Sequence, residues 1–229
     1  MDILTIKNLK KSFTIYALDK HIEACKDVNL TLKEGEFVGI TGKSGSGKST
    51  ILRSIYRTYL PDEGSIVYNS ESFGPIDLLK ASEQDIIHLR KKEIGYVSQF
   101  FSATPRTTSK DIIIQAFKET GQTEGATEEA ERLLAHFEFD RNLWDSYPKT
   151  FSGGEKLRLN IARAMVKKPR ILLLDEPTAS LDDASKLKVR ELICQLKEEG
   201  TTMLGIFHDI EFMEGISDRV LPMKEGFLG

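Results

Sequence analysis

The run Gly42-Lys43-Ser44-Gly45-Ser46-Gly47-Lys48-Ser49 matches the pattern G-x-x-x-x-G-K-[ST] without a gap. Glycines allow a backbone to wrap closely around phosphate oxygens and to point its N–H groups inward. A helix that starts at the end of such a loop presents its positive end to the same anion. In that chemistry Lys48 reaches the β- and γ-phosphates of a nucleotide, and Ser49 offers its hydroxyl to Mg²⁺. Gly42, Ser44, Gly45, Gly47, Lys48, Ser49 and Thr50 are therefore the candidate nucleotide contacts. The motif alone does not separate an ATPase from a kinase or a GTPase.

A second group of chemical residues follows an apolar run. Leu172-Leu173-Leu174-Asp175-Glu176 sets two acids at the carboxyl end of a strand, which is the ligand-binding edge of a doubly wound sheet. Asp175 suits a metal-holding role, and Glu176 suits the polarisation of an attacking water. Two acids after a strand are also common in solvated turns; the phosphate loop upstream is what favours chemistry here. The third group is Phe151-Ser152-Gly153-Gly154-Glu155, ahead of a helical stripe. Small residues at a helix start expose N–H groups, so Ser152, Gly153 and Gly154 read as a second anion site.

These residues need a scaffold that holds strand ends together. Phe37-Val38-Gly39-Ile40-Thr41 is a short apolar strand leading into the glycine-rich loop, and a helix is expected from about Ser49 to Arg57. Leu60-Pro61-Asp62-Glu63-Gly64 is turn chemistry. Ile171–Leu174 and Met203–Phe207 are further apolar strands, separated by a helix striped with Val189, Leu192, Ile193 and Leu196 that stops at Gly200. Apolar runs without alternation imply a mostly parallel sheet covered on both faces. The segment 84–168 reads as an inserted helical lobe, and 1–83 with 169–229 as the α/β lobe of a single domain. Within the insert, Ala130, Leu133, Leu134 and Phe137 share one helical face, with Thr127 as the expected cap and Glu128 and Glu129 in the first turn. Leu157, Ile161, Ala164 and Met165 repeat the spacing.

Composition narrows the class. With 40% hydrophobic and 29% charged residues, the chain has ordinary globular proportions. A net charge of -3 argues against nucleic acid as the main partner. Cys25 and Cys194 stand apart, as expected of reduced thiols. The N-terminus is strand-like and lacks a signal-peptide core, and no apolar run approaches the roughly 20 residues that span a bilayer. The expectation is a cytoplasmic protein without direct membrane insertion, reaching any membrane through a partner.

Taken together, Ser152-Gly153-Gly154, the phosphate loop and the Asp175-Glu176 pair resemble the ATP-binding-cassette family of P-loop NTPases. The resemblance runs over essentially the whole chain. It implies an α/β P-loop fold with antiparallel N-terminal strands and a helical signature lobe, binding ATP and Mg²⁺. It places Phe13 where the family stacks an aromatic on adenine, with Tyr16 nearby. It matches Gln99 to the glutamine linking Mg²⁺ and the attacking water to the helical lobe. It matches Ser180-Leu181-Asp182 to the loop crossing the dimer interface, and His208 to the histidine contacting the γ-phosphate. The implied catalytic set is Glu176, His208 and Gln99, with Ser49, Gln99 and Asp175 around the metal. The implied assembly is an ATP-induced head-to-tail dimer, with itself or a paralogue, in which Ser152–Gly154 of one copy completes the other's site. Two departures stand out: Phe151 replaces the family's leucine, and Glu155 replaces its glutamine, bringing a negative charge into the first turn of the helix that suits the helix dipole but repels a γ-phosphate if it points inward.

For the partner, Arg53-Ser54-Ile55-Tyr56, Tyr59–Gly64, Val97-Ser98-Gln99-Phe100, Pro105-Arg106 and Gly205-Ile206-Phe207-His208-Asp209 resemble the L-type ATP-binding subunit of the bacterial carbon–phosphorus lyase system for phosphonate breakdown. That resemblance implies a soluble lyase complex as the partner. The alternatives are the nucleotide-binding motor of a membrane transporter and a nucleotide-gated scaffold, the latter disfavoured by an intact Glu176 and His208.

Overall fold

The computed structural model describes residues 1–15, 19–98, 105–179, 181–208 and 210–229. In chain order the elements are β1 (Asp2–Ile15), β2 (Lys20–Lys33), β3 (Phe37–Thr41), α1 (Lys48–Ile55), β4 (Glu63–Ser70), β5 (Gly74–Asp77), α2 (Glu83–Lys92) and β6 (Ile94–Val97). Then come α3 (Ser109–Lys118), α4 (Ala126–His136), α5 (Gly153–Met165), β7 (Ile171–Asp175), α6 (Asp183–Glu198), β8 (Thr202–Ile206), α7 (Ile210–Met213), β9 (Arg219–Lys224) and β10 (Phe227–Leu228).

Two sheets form. One is antiparallel, in the order β2-β1-β4-β5; the other runs β10-β9-β3-β8-β7-β6, parallel throughout except for β10. The central strands read as unbroken apolar runs because both faces are covered. Leu172 and Leu174 of β7 pack with Phe37, Met203, and helices α3 to α6 on one side. Ile171 and Leu173 pack with Ile51 and Leu52 of α1 and with the antiparallel sheet on the other. Leu173 is fully buried. Leu173→Ala is expected to cost about 2–5 kcal/mol of stability, because a sheet centre clamped between two layers cannot collapse around the void. Urea unfolding at constant m-value measures it.

The parallel topology brings the carboxyl ends of β3, β6, β7 and β8 to one edge. The phosphate loop leaves β3, Asp175 ends β7, and His208 follows β8.

Three expectations are corrected. The helical insert does not begin at 84. Helix α2 sets Ile86 and Leu89 into the same core as Ile51 and Leu173, and β6 pairs with β7 as an edge strand of the main sheet. A four-residue strand, Ile94-Gly95-Tyr96-Val97, is too short to show a period, so its flanking helices absorbed it in the sequence pattern. Among the described residues the inserted helices therefore fall within 105–168. The cap of α4 is Gly125 at φ 75 and not Thr127, which lies inside the helix. Helix α1 ends at Ile55, and Arg57 adopts a left-handed φ of 61.

Candidate active site

The phosphate loop is shaped by its glycines at two tight points. Gly42, at φ 144, would place a Cβ 2.2 Å from the Met223 carbonyl oxygen, and Gly47, at φ 107, would place one 1.9 Å from that of Ala24. Any side chain at either position collides with backbone, so the loop is held by β2 and β9 as well as by its own turns. Gly47 also opens α1, without a side-chain cap and with no acid in the first turn. The positive end of that helix is left for an anion. Ser44 and Gly45 sit exposed at the loop tip, while Thr50 is buried beneath it with its N–H donated to the Gly47 carbonyl.

Lys48 is 3% exposed, and its ammonium donates to the Gly42 and Lys43 carbonyls at 2.8 and 3.0 Å. Burial holds its pKa below the usual lysine value, against the pull of Glu176 and Asp175. A buried cation facing two carboxylates across the strand ends is poised for a multiply charged anion.

Asp175, 3% exposed, accepts a hydrogen bond from the Ser49 hydroxyl on Oδ1 at 2.8 Å and one from the Tyr96 hydroxyl on Oδ2 at 2.6 Å. Arg53 Nε lies 3.6 Å from Oδ2. Burial, then the bond to Asp175, raises the Tyr96 pKa. Glu176 takes a left-handed φ of 51, with its N–H on the Ile206 carbonyl at 3.1 Å. A non-glycine residue in that region carries strain of order 1–2 kcal/mol. The turn swings its carboxylate to within 2.9 Å of His208 Nε2. A carboxylate oriented by an imidazole beside a buried lysine can take a proton from water.

A hydroxyl and a carboxylate are hard oxygen donors that fit Mg²⁺. No cluster of three or more His, Cys, Asp or Glu able to hold a metal occurs among the described residues.

The glycine pair at 153–154 serves a different part of the molecule. Ser152 caps α5 and accepts the Glu155 N–H at 3.3 Å. Its own N–H and hydroxyl both donate to Glu155 Oε2, at 2.7 and 2.8 Å. The Glu155 charge thus folds back into a capping box instead of pointing away from the helix. Gly154 lies against α6, where a Cβ would meet Ser185 Oγ at 2.7 Å. Asp182 caps α6 through the Ser185 N–H at 2.8 Å. Phe151 is buried against Phe139, so the larger ring in place of leucine fills core space. Among the described residues no hydrogen bond or ion pair joins 152–154 to the phosphate loop. Ser152→Ala, which breaks the cap, is expected to cost about 1 kcal/mol. Glu155→Gln is expected to cost roughly half that, since only the charge at the helix start is lost. Denaturant midpoints of the two variants check the order.

Phe13 is half-buried on β1, edge-on to Tyr59 at 5.1 Å, with the Lys11 ammonium 5.3 Å from its ring centre. Gln99, Ser180 and Tyr16 lie outside the described residues. The structure thus brings together Lys48, Ser49, Asp175, Glu176 and His208, and no hydrogen bond or ion pair among the described residues joins Phe13, Ser152–Gly154 or Asp182 to them. Tyr96 is the residue that sequence reasoning missed. Its signal was faint: a tyrosine in an otherwise apolar strand beside the one ending in Asp175.

A family model described as ABC transporter matches residues 25–179. The chain is 33% identical over 229 residues to the lipoprotein-releasing system ATP-binding protein LolD 2 of Chlorobium chlorochromatii, covering 99% of this chain and 94% of the relative. It is 34% identical to the putative hemin import ATP-binding protein HrtA of Staphylococcus haemolyticus, covering 97% of each. Among solved structures, the dimeric post-hydrolysis state of the ATP-binding cassette MJ0796, bound to ADP and Pi, superposes with a TM-score of 0.87 at 31% identity, covering 98% of this chain and 96% of that one. The MJ0796 sequence is that of an uncharacterized ABC transporter ATP-binding protein of Methanocaldococcus jannaschii.

Proposed function

This chain belongs to the ABC transporter family and is an ATPase, and from that premise we propose that it is the nucleotide-binding motor subunit of a membrane transporter, working as a head-to-tail dimer. What supports the dimer is that, among the described residues, no hydrogen bond or ion pair joins Ser152–Gly154 to the phosphate loop of the same copy. The dimeric ADP- and Pi-bound MJ0796 cassette supports the same arrangement. The transporter role is supported by relatives named for lipoprotein release and hemin import, which align over nearly the full chain. No helix among the described residues is long and apolar enough to cross a membrane, and a membrane-spanning partner is part of the proposal.

In the proposed cycle Lys48 and the N–H groups of the loop bind the β- and γ-phosphates. Ser49 and Asp175 would hold Mg²⁺, which would supply charge neutralisation at the phosphoryl group. Glu176 accepts the proton of the attacking water while His208 fixes its carboxylate. Loss of the γ-phosphate removes what both copies share, so the dimer opens and the motion passes to the partner.

A second reading, an ATPase serving a soluble carbon–phosphorus lyase complex, is favoured by residues instead of relatives: Arg53-Ser54-Ile55-Tyr56 and Gly205-Ile206-Phe207-His208-Asp209 above all. One experiment separates the two. Tagged Glu176→Gln protein, expressed in its native host and supplied with Mg-ATP, is expected to stay closed and to retain its partner. Integral membrane permease subunits in the eluate support the motor. Soluble phosphonate-lyase subunits overturn it in favour of the second reading.

A further inference from the structure

We infer that Tyr96 is a positioning residue for the metal-side carboxylate, fixing the plane in which Asp175 turns one oxygen toward Ser49. The inference rests on the Mg-ATP reading of the site. The two carboxylate oxygens have different partners. Oδ1 accepts from Ser49 at the phosphate loop, and Oδ2 accepts from the Tyr96 hydroxyl at 2.6 Å. The terminal torsion of an aspartate is broad, so an unheld carboxylate plane rocks about it. A short bond from a half-buried phenol to one oxygen holds the plane at one angle. Arg53 does not replace it, because 3.6 Å with a half-exposed side chain is an ion pair and not a hydrogen bond.

Tyr96 is itself held on its far side. Its ring lies 4.8 Å from that of Tyr56, at the carboxyl end of α1, and the Arg90 guanidinium sits 4.6 Å from the Tyr56 ring centre. Arg90 also donates Nε and Nη2 to the Tyr56 carbonyl at 2.8 and 2.6 Å. The chain of contacts runs from α2, through the end of α1, through β6 and β7, and back to Ser49 in the first turn of α1. Both ends of the nucleotide-binding helix are thereby tied to one carboxylate. Partners that orient metal ligands from behind are typically worth about 10–100-fold in metal affinity.

The test uses Tyr96→Phe, which keeps the ring and its packing and removes only the donor. Mn²⁺ is titrated into protein with ATP, and bound ion is read by electron paramagnetic resonance; ATP binding is measured separately in EDTA. The expected result is Mn²⁺ affinity about tenfold weaker, with metal-free ATP binding unchanged. Tyr56→Leu, which leaves the hydroxyl but loosens the ring, is expected to lose less in the same direction. Equal Mn²⁺ affinity in wild type and Tyr96→Phe overturns the inference. So does a parallel loss of metal-free ATP binding, which marks general distortion. If wild-type protein with ATP takes up no Mn²⁺ at all, the Mg-ATP reading itself falls.

Discussion

Glu176→Gln is expected to lower the ATP turnover rate by about 10²–10⁴-fold while leaving Mg-ATP binding intact, the loss typical of removing a positioned general base. Glutamine has nearly the shape of glutamate and keeps an oxygen that can face His208. The backbone should not object, since the left-handed turn is held by the N–H bond to Ile206 and not by the carboxylate. What disappears is the only part a base needs, an ionised oxygen with room for a proton. Removing that charge also takes one carboxylate away from the site where the triphosphate binds, so affinity should hold or rise. Phosphate release at saturating ATP, set beside equilibrium nucleotide binding, checks both halves. Turnover within a few-fold of wild type would place the base elsewhere. His208→Ala should reproduce part of the loss, because it frees the carboxylate held at 2.9 Å.

The two strongest motifs were legible in the sequence because their chemistry is contiguous. A phosphate loop is a strand, a glycine turn and a helix start in one unbroken stretch, and Asp175-Glu176 hangs from the end of a visibly buried strand. His208 was placed through the family resemblance, as a γ-phosphate contact; the structure sets it 2.9 Å from Glu176. What escaped was built across the sheet. Tyr96 and Asp175 are 79 positions apart, joined only because β6 pairs with β7. The same four-residue strand misled the domain boundary. Glu155 teaches a different lesson: its charge suits the helix dipole, but Ser152 and Glu155 also have the spacing of a capping box, and that spacing is what decides where the carboxylate points. The subfamily resemblance rested on segments flanking motifs that every cassette carries, and the named transport relatives align with those same segments. Local sequence there reports the shared chemistry of ATP more strongly than the partner.

Lys48→Ala is expected to fail one step earlier than Glu176→Gln, at binding. The ammonium is buried and donates to two loop carbonyls, so it already sits where a triphosphate must come. On binding it exchanges those carbonyls for phosphate oxygens. Charge-assisted hydrogen bonds contribute about 1.5–3 kcal/mol each, so two of them correspond to roughly 10²–10⁴-fold in affinity. The electrostatics push the same way. With the cation gone, the carboxylates that pull on Lys48 face the incoming anion with Arg53, 3.6 Å from Asp175, left as a neighbouring cation. Stability should change much less, because the freed carbonyls lie beside an open, solvent-facing loop tip. Calorimetric titration with Mg-ATP, together with a thermal melt in the absence of nucleotide, separates the two effects. An affinity within tenfold of wild type would mean that the N–H groups of the loop and the start of α1 hold the phosphates without help. Lys48 would then be a structural clamp for residues 42 and 43, and the site would admit the triphosphate beside Asp175 and Glu176 without its charge.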